Sequence, residues 1–201
     1  MRSITVHLIR HGKTVANSEG LYIGKTDVAL TLEGADELET LAGQGIYPTV
    51  EQVYSSPLRR CLQTAVMIYP GCPAAAVEEL GEYNFGEFEG KSGKELDDNA
   101  DYLAWIAGKL PIPPGGNETN RDFAVRVCVG FRRVVEDMLH AGLQTSAVIT
   151  HGGVIMTLLD ACALPRKKKF EWLCDSGRGY TVRITPSLYH SSGVIEVIDV
   201  I

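Results

Sequence analysis

The sequence predicts an α/β fold with three layers, in which helices cover both faces of a mixed but mainly parallel sheet. Short β-branched or apolar runs alternate along the chain with longer segments of helical periodicity, and no repeat or low-complexity stretch interrupts them. The length agrees, because 201 residues with 45% hydrophobic content are enough for one well-buried domain and few for two. We therefore expect a single domain over residues 1–201.

The strands of this sheet are predicted from short apolar runs bounded by glycine or polar residues. They cover residues 3–9, 53–54, 75–80 and 146–150, and two more, residues 178–184 and 194–201, flank a Ser/Gly turn. Helices are predicted over residues 31–45, 57–69, 94–107, 122–141 and 154–163. Thr31 caps the first helix, and Ser56 followed by Pro57 indicates the start of the second. Residues 81–90 and 110–119 are too rich in glycine or proline for a helix, so we expect loops there.

Charge and cysteine content exclude several classes of protein. The formal net charge of −6 argues against a nucleic-acid or anionic-membrane binder, because those partners require a broad excess of Lys and Arg. Residues 1–12 contain only a short apolar stretch, interrupted by His7 and Arg10, and so predict neither a signal peptide nor a membrane span. The cysteines are widely spaced without a CxxC pair, which is typical of reduced thiols. A cytoplasmic location is therefore expected.

Polar clusters follow three of the predicted strands, at the end where the ligand crevice of an open α/β sheet lies. These clusters are Arg10-His11-Gly12, the segment from Ser56 to Arg60, and Thr150-His151-Gly152-Gly153. We expect them to converge in space. Planar guanidinium groups match phosphate oxygens in a bidentate manner, and imidazoles can donate to them or attack phosphorus. The three clusters together predict a phosphate pocket.

No thiol or serine motif accompanies these clusters, so an imidazole is the candidate nucleophile. It must be neutral, with its other nitrogen fixed by a hydrogen bond, and nearby cations favour the neutral form. The leaving alkoxide needs a proton, and Glu82 in the glycine-rich loop is the available acid. A lone histidine at a strand end is more often structural, but His11 and His151 form a pair. Spacing does not choose between Arg59 and Arg60, which are adjacent at a helix start.

Neither a metal nor another cofactor is predicted. His7 and His11 have the spacing of a helical zinc pair, but in a strand residues four apart lie about 13 Å from each other. The basic run over residues 166–169 is interpreted as a solvated face at a helix start and is given no role. The expected partner is a small phosphate monoester, without nucleic acid or membrane. The sequence leaves the oligomeric state undetermined.

Several segments together resemble the histidine phosphatase superfamily, also called the phosphoglycerate-mutase-like family. The resemblance covers nearly the whole chain and is carried by Leu8-Ile9-Arg10-His11-Gly12-Lys13-Thr14 with Asn17, by Gly24, Asp27, Leu30 and Gly34, by Ser56-Pro57-Leu58-Arg59-Arg60-Cys61, by Glu82-Tyr83-Asn84-Phe85-Gly86, and by Thr150-His151-Gly152-Gly153. It implies a phosphoglycerate-mutase-like α/β/α sandwich.

The resemblance also implies roles for single residues. It makes His11 the phosphorylated nucleophile and Glu82 the proton donor. The groups that it implies for binding the phosphoryl oxygens are Arg10, Arg60 and His151, with Asn17 and the backbone of Gly152 as further contacts. It places Gly24 in the substrate loop. Because the family's second arginine directly precedes the position held here by Cys61, the resemblance favours Arg60 over Arg59.

Within the family, the chain is similar to short phosphatases that act through a phosphohistidine. Residues 113–118 resemble a segment of alpha-ribazole phosphatases, which makes alpha-ribazole phosphate a candidate substrate. We expect residues 86–120 to be a substrate-capping insertion, and residues 86–116 and 177–186 to determine specificity. The chief alternative is a phosphoglycerate mutase, although Phe85 replaces the usual tyrosine and only Arg121 lies near the usual arginine pair. A catalytically silent binding module is a further alternative, but no site residue is lost.

Overall fold

A computed structural model describes residues 2–201 and contains a mixed sheet between two layers of helices. The strands are β1 (Ile4–Arg10), β2 (Gln52–Ser55), β3 (Ala74–Ala76), β4 (Thr145–Thr150), β5 (Ala163–Leu164), β6 (Gly179–Ile184) and β7 (Ile195–Val200). The α-helices are α1 (Val15–Glu19), α2 (Leu32–Gly43), α3 (Arg59–Ile68), α4 (Ala100–Ile106), α5 (Asn120–Ala141), α6 (Gly152–Cys162) and α7 (Pro186–Ser192). Short 3₁₀ helices cover Glu78–Leu80, Gly86–Phe88 and Lys169–Trp172.

The strand order is β3-β2-β4-β1-β6-β7-β5. Strands β3, β2, β4 and β1 are parallel, β6 is antiparallel to β1 and to β7, and β5 is parallel to β7. The predicted mixed, mainly parallel sheet is therefore confirmed. Because β1, β2 and β4 are parallel neighbours, their carboxyl ends meet at one edge of the sheet.

Side chains alternate between the two faces of the sheet and form a separate core on each. Leu8 of β1 belongs to one core together with Phe131 of α5, and this core also contains residues of α6. The next residue, Ile9, belongs to the other core, with Leu38 of α2 and Ala65 of α3. The three layers predicted from the sequence are therefore confirmed.

The prediction that Ser56 and Pro57 open α3 is wrong by two residues. The helix begins at Arg59, because the carboxylate of Asp27 in a distant segment accepts a hydrogen bond from the Arg59 N–H at 2.7 Å. The Ser56 hydroxyl lies 2.8 Å from His151 Nε2 and accepts only a longer hydrogen bond, at 3.4 Å, from the Leu58 N–H. A cap supplied from elsewhere in the chain has no local sequence pattern, so spacing alone does not reveal it.

Two other predicted elements have bounds that differ from the structure by more than two residues, and α1, β5 and α7 were not predicted. The helix predicted over residues 94–107 begins only at Ala100, where the Asn99 side chain accepts from the Tyr102 N–H. The strand predicted over residues 75–80 ends at Ala76 and continues as a 3₁₀ helix. The turn between β6 and β7 contains α7, which starts with Pro186 and ends before Gly193. Within residues 2–201, no helix combines the length and apolar character needed to cross a bilayer.

Candidate active site

His11 directly follows β1 and is held as a neutral imidazole. Its Nδ1 lies 2.7 Å from the Gly12 carbonyl, which can only accept, so Nδ1 carries the ring hydrogen and Nε2 keeps a free lone pair. The imidazole is buried, 5% exposed. Burial, followed by the Arg60 charge, lowers the pKa of His11 to about 3. The ring is therefore unprotonated across the physiological pH range.

His151 follows β4 and lies beside His11, as the parallel pairing requires. Arg10 and Thr150 are partners in the β1–β4 register, and the two imidazole centroids are 5.2 Å apart. Arg60 donates from Nε to His151 Nδ1 at 3.3 Å, so the hydrogen of this ring is on Nε2 and is donated to the Ser56 hydroxyl at 2.8 Å. Complete burial lowers the pKa of His151 well below its usual range.

Two groups next to His151 could be considered as alternative nucleophiles. The Ser56 hydroxyl accepts a hydrogen bond from His151 in this tautomer, so the imidazole is not placed to remove its proton. The Cys61 thiol lies 3.5 Å from His151 Nε2, but burial raises the pKa of this thiol and keeps it protonated. Neither group has the free lone pair and neutral state of His11.

The two adjacent arginines of α3 face opposite environments. Arg60 is buried, 1% exposed, and donates from Nη1 to the Thr26 carbonyl at 3.0 Å and from Nη2 to the Gly24 carbonyl at 2.9 Å. With its contact to His151, Arg60 uses three donors and keeps one hydrogen on each Nη. Arg59 is exposed. Of the two arginines, Arg60 is therefore the one that lies beside His151.

Arg10 supplies a second guanidinium group at the same sheet edge. Its Nη1 donates to the Cys174 carbonyl at 2.7 Å, while its buried Nε has no hydrogen-bond partner among residues 2–201. A side chain at Gly152 would begin 3.3 Å from Arg10 Nε, so glycine leaves the guanidinium the space it occupies. An unpaired buried donor at this sheet edge is suited to bind an anion.

Glu82 reaches the same crevice from the loop after the Glu78–Leu80 helix. Its carboxylate accepts from the Tyr83 N–H at 2.9 Å and from the Gly153 N–H at 3.0 Å. Burial raises the pKa of Glu82, and this effect exceeds the opposing effects of the two backbone N–H groups and of Arg60 and Arg10. A carboxyl group with a raised pKa is suited to hold a proton near neutral pH.

The three remaining predicted residues lie around this crevice. Asn17 uses its carboxamide oxygen to accept from the N–H and hydroxyl of Thr14, which leaves its NH₂ group as a donor. Gly152 is the first residue of α6, whose positive helix end faces the crevice. Gly24 is buried against Arg60, and a side chain there would clash with the Tyr83 carbonyl at 1.8 Å. Gly24 therefore positions Arg60, and its contact with substrate stays a prediction.

A cavity of about 520 Å³ opens next to Glu82 and is walled mainly by aromatic side chains. The aromatic and sulfur-containing residues that line it are Tyr22, Tyr83, Phe85, Trp105, Phe123, Met156 and Phe170. Lys169, from the basic run that was given no role, also lines it. Residues 177–186, predicted to help determine specificity, do not line this cavity, and most of them form β6 inside the sheet. Trp105 is not among the predicted site residues, because helical periodicity does not show which buried aromatic residues border a cavity.

Metal ligands do not cluster in the part of the chain that the structure describes, since no group of three His, Cys, Asp or Glu side chains there could hold an ion. The positive charge at the site is supplied by Arg10 and Arg60. We therefore expect turnover to be unchanged by EDTA. The assay is phosphate release before and after dialysis against the chelator, and activity lost to EDTA and restored by zinc or magnesium would contradict the expectation.

Comparison with known proteins agrees with this geometry. The family model described as Histidine phosphatase superfamily (branch 1) matches residues 6–187. The chain belongs to this superfamily and is an enzyme that hydrolyses phosphate esters. The family resemblance found in the sequence is therefore confirmed.

Particular relatives are phosphatases. A protein of Hydrogenobacter thermophilus named as a phosphoserine phosphatase is 30% identical over 77% of this chain and 76% of its own length. The adenosylcobalamin/alpha-ribazole phosphatase of Salmonella typhimurium is 29% identical over 76% of each chain. The alpha-ribazole phosphatase of Shigella flexneri superposes with a TM-score of 0.78 at 24% identity, covering 97% of this chain and 95% of that structure, which supports the fold. Phosphoglycerate mutases also occur among the relatives.

Proposed function

We propose that this enzyme hydrolyses small phosphate monoesters through a phosphohistidine formed on His11. The observation that carries the proposal is the 2.7 Å hydrogen bond from His11 Nδ1 to the Gly12 carbonyl, which fixes the tautomer with a free Nε2. Nε2 attacks phosphorus, the ester P–O bond breaks, and the phosphoryl group moves to the imidazole. Because His11 is neutral, it does not have to lose a proton before it attacks.

The phosphoryl oxygens are bound by donors that converge on the crevice. In this proposal Arg60 contributes the two hydrogens that its protein contacts leave unused, and Arg10 contributes its unpaired Nε. Asn17 and the backbone N–H of Gly152 complete the set, and His151 joins it by exchanging the Ser56 hydroxyl for a phosphoryl oxygen as the acceptor of its Nε2–H. All of these groups stabilise the negative charge of the transferring group, and the burial of Arg60 strengthens its share.

Glu82 transfers protons in both steps of the proposed reaction. In its protonated form, which burial favours by raising the pKa of Glu82, the carboxyl group gives a proton to the leaving alkoxide. The carboxylate then takes a proton from the water that attacks the phosphohistidine, which releases inorganic phosphate and restores His11. The position of Glu82 on the wall of the aromatic cavity supports this assignment, because the cavity is where the alcohol of the ester would lie.

We further propose that residues 86–120 cap the substrate and that its alcohol carries a flat aromatic group. Phe85 and Trp105 lie with ring centroids 6.1 Å apart in the cavity wall, and Phe170 completes its rim. Aromatic walls favour a planar ring over the charged alcohol of phosphoserine. Alpha-ribazole phosphate, the substrate named for several relatives, has this chemistry. We also propose that the enzyme acts in the cytoplasm, and the net charge of −6 supports the absence of nucleic-acid or anionic-membrane partners.

A substrate panel tests the proposed specificity. We expect kcat/KM to be higher for alpha-ribazole phosphate than for phosphoserine or 3-phosphoglycerate. Phe170→Ala, at a residue 79% exposed on the cavity rim, should lower kcat/KM for alpha-ribazole phosphate. The loss should be roughly 5- to 10-fold, the effect of removing one stacking partner, and phosphoserine should be unaffected.

Leu173→Ala is the matched control, because Leu173 is 58% exposed next to the same 3₁₀ helix but is not part of the cavity wall. Equal losses on all substrates for Phe170→Ala would contradict the aromatic-site proposal. Conversion of 3-phosphoglycerate into its 2-phospho isomer would support the mutase alternative. Phe85 inside the aromatic wall and the exposed Arg121 argue against a mutase.

The role of Glu82 predicts a dependence on the leaving group. Glu82→Gln should lose about 10² to 10⁴ in turnover on alkyl phosphates, because a poor leaving group needs a proton, and much less on para-nitrophenyl phosphate. Since the acid must be protonated, turnover of alkyl phosphates by the wild type should fall as pH rises through the raised pKa of Glu82. That basic limb should vanish in the variant. Equal losses on both substrates would leave Glu82 a structural residue.

A further inference from the structure

Arg126 on α5 extends its guanidinium group beneath the loop that carries Glu82. Nη1 donates to the carbonyls of Glu79 at 2.9 Å and Gly81 at 2.8 Å, and Nη2 donates to the Glu82 carbonyl at 3.3 Å. One turn further along the helix, Gly130 has no side chain, and a Cβ there would come within 2.7 Å of Glu79 Cβ. The helix surface is thus shaped to receive residues 79–82.

The Glu118 carboxylate accepts hydrogen bonds from the remaining N–H groups of the same guanidinium group. Arg126 donates from Nε to Glu118 Oε2 at 2.9 Å and from Nη2 to Glu118 Oε1 at 2.7 Å, so all five of its N–H groups are used. Glu118 also accepts from the Asn84 N–H at 3.2 Å through Oε1 and from the Tyr83 hydroxyl at 2.9 Å through its own carbonyl. Both flanks of the Glu82 loop are therefore attached to one ion pair, which we call the Arg126–Glu118 clamp.

The Glu82 carboxylate has no direct contact with this clamp. Its oxygens are held by the N–H groups of Tyr83 and Gly153, and Tyr83 belongs to the loop itself. The distance from the carboxyl group to a leaving oxygen depends on where the loop lies, and proton transfer needs an approach within hydrogen-bond range.

We propose that Arg126 and Glu118 are positioning residues that set the catalytic acid, and that through Glu118 they couple this acid to the capping segment 86–120. The inference rests on the proposed role of Glu82. Lysine cannot replace Arg126, because an ammonium group lacks the planar fork needed to bind three carbonyls and a carboxylate together. Removing the clamp should therefore impair protonation of the leaving group and leave formation of the phosphohistidine with good leaving groups intact.

The experiment measures turnover of Arg126→Lys and Glu118→Gln on an alkyl phosphate and on para-nitrophenyl phosphate, each in the wild-type and in the Glu82→Gln background. We expect a loss of roughly 10- to 100-fold on the alkyl phosphate, below the full contribution of a general acid, and of about twofold or less on the nitrophenyl ester. In the Glu82→Gln background the alkyl loss should vanish, because residues that act as a unit are not additive.

Arg133→Gln is the matched control. Arg133 lies on the same helix and pairs with Glu79 at 3.7 Å, but it is 66% exposed and touches no carbonyl of the Glu82 loop, so both activities should change by about twofold or less. The clamp proposal would be overturned if Arg126→Lys and Glu118→Gln lost no turnover, or lost equal turnover on both substrates. It would also be overturned if the loss on the alkyl phosphate were just as large in the Glu82→Gln background. If Glu82→Gln alone lost the same fraction of turnover on both substrates, Glu82 would not be the general acid. The clamp proposal, which rests on that role, would then fail as well. If Arg126→Lys does not fold, Glu118→Gln decides, because it removes the charge and keeps the side chain's shape.

Discussion

His11→Ala is expected to abolish turnover and to eliminate the acid-labile phosphoenzyme. In the proposed reaction the nucleophilic lone pair belongs to His11 Nε2. Neither Ser56 nor Cys61 is in a state to replace it, because Ser56 accepts its hydrogen bond from His151 and the Cys61 thiol remains protonated. Without a covalent intermediate, only binding and charge stabilisation remain. The measurement is acid-quenched labelling with a ³²P-phosphate ester, together with steady-state release of phosphate.

His7→Ala is the control for this variant. His7 is also a buried histidine of β1, and its Nδ1 lies 3.0 Å from the Thr181 hydroxyl. Both substitutions remove a buried imidazole from the same strand, so both should cost stability. Only His11→Ala should remove the phosphoenzyme. Labelling that persists in a folded His11→Ala protein would assign the nucleophile to another residue.

The pH dependence of the nucleophile follows from the same environment. Burial and the Arg60 charge lower the pKa of His11 to about 3, so the ring gains its proton only below about that pH in the free enzyme. A loss of activity between pH 5 and 7 should therefore not come from His11. The binding of a phosphate dianion opposes this shift, because an opposite charge nearby favours the protonated ring.

Much of the fold could be predicted because hydrophobic periodicity reports burial directly. The run after Ser3 is mostly apolar and is buried on both faces of the sheet, as a central strand requires, and the structure places β1 between β4 and β6. The start of α3 and the helix α7 were not predicted correctly. Asp27 sets the first from a distance, and α7 is too short for a periodic pattern.

The meeting of the chemical groups could be predicted from topology, whereas their orientation could not. Parallel strands end at one edge, so His11 and His151 had to lie near each other once β1 and β4 paired. Which arginine points inward depends on the exact first residue of α3. The aromatic cavity and the Arg126–Glu118 clamp were not predicted, because they depend on how separate segments pack together. The spacing of residues along the sequence does not indicate such contacts.

Arg60→Ala should reduce turnover by about 10³-fold, the upper range for the loss of one donor to a transition-state oxyanion. Arg60 binds the phosphoryl group in the proposed reaction, and its charge also lowers the pKa of His11. Its loss would further leave the carbonyls of Gly24 and Thr26 without their donor, so residues 24–26 should loosen. The measurements are kcat and KM on para-nitrophenyl phosphate, with the thermal midpoint as a check on folding.

Arg59→Ala is the matched comparison, since it removes an identical side chain from the neighbouring position. Arg59 is exposed, and the contact it makes with Asp27 uses its backbone N–H, which alanine retains. Turnover should change by about twofold or less, as for other exposed charges.

Arg60→Lys tests the charge of Arg60 separately from its shape. A lysine keeps the cation near His11 but cannot reach two carbonyls and His151 at once, so it should recover only part of the loss. If Arg59→Ala were the more damaging substitution, the inward face of α3 would be wrong, and with it the phosphate site built on Arg60.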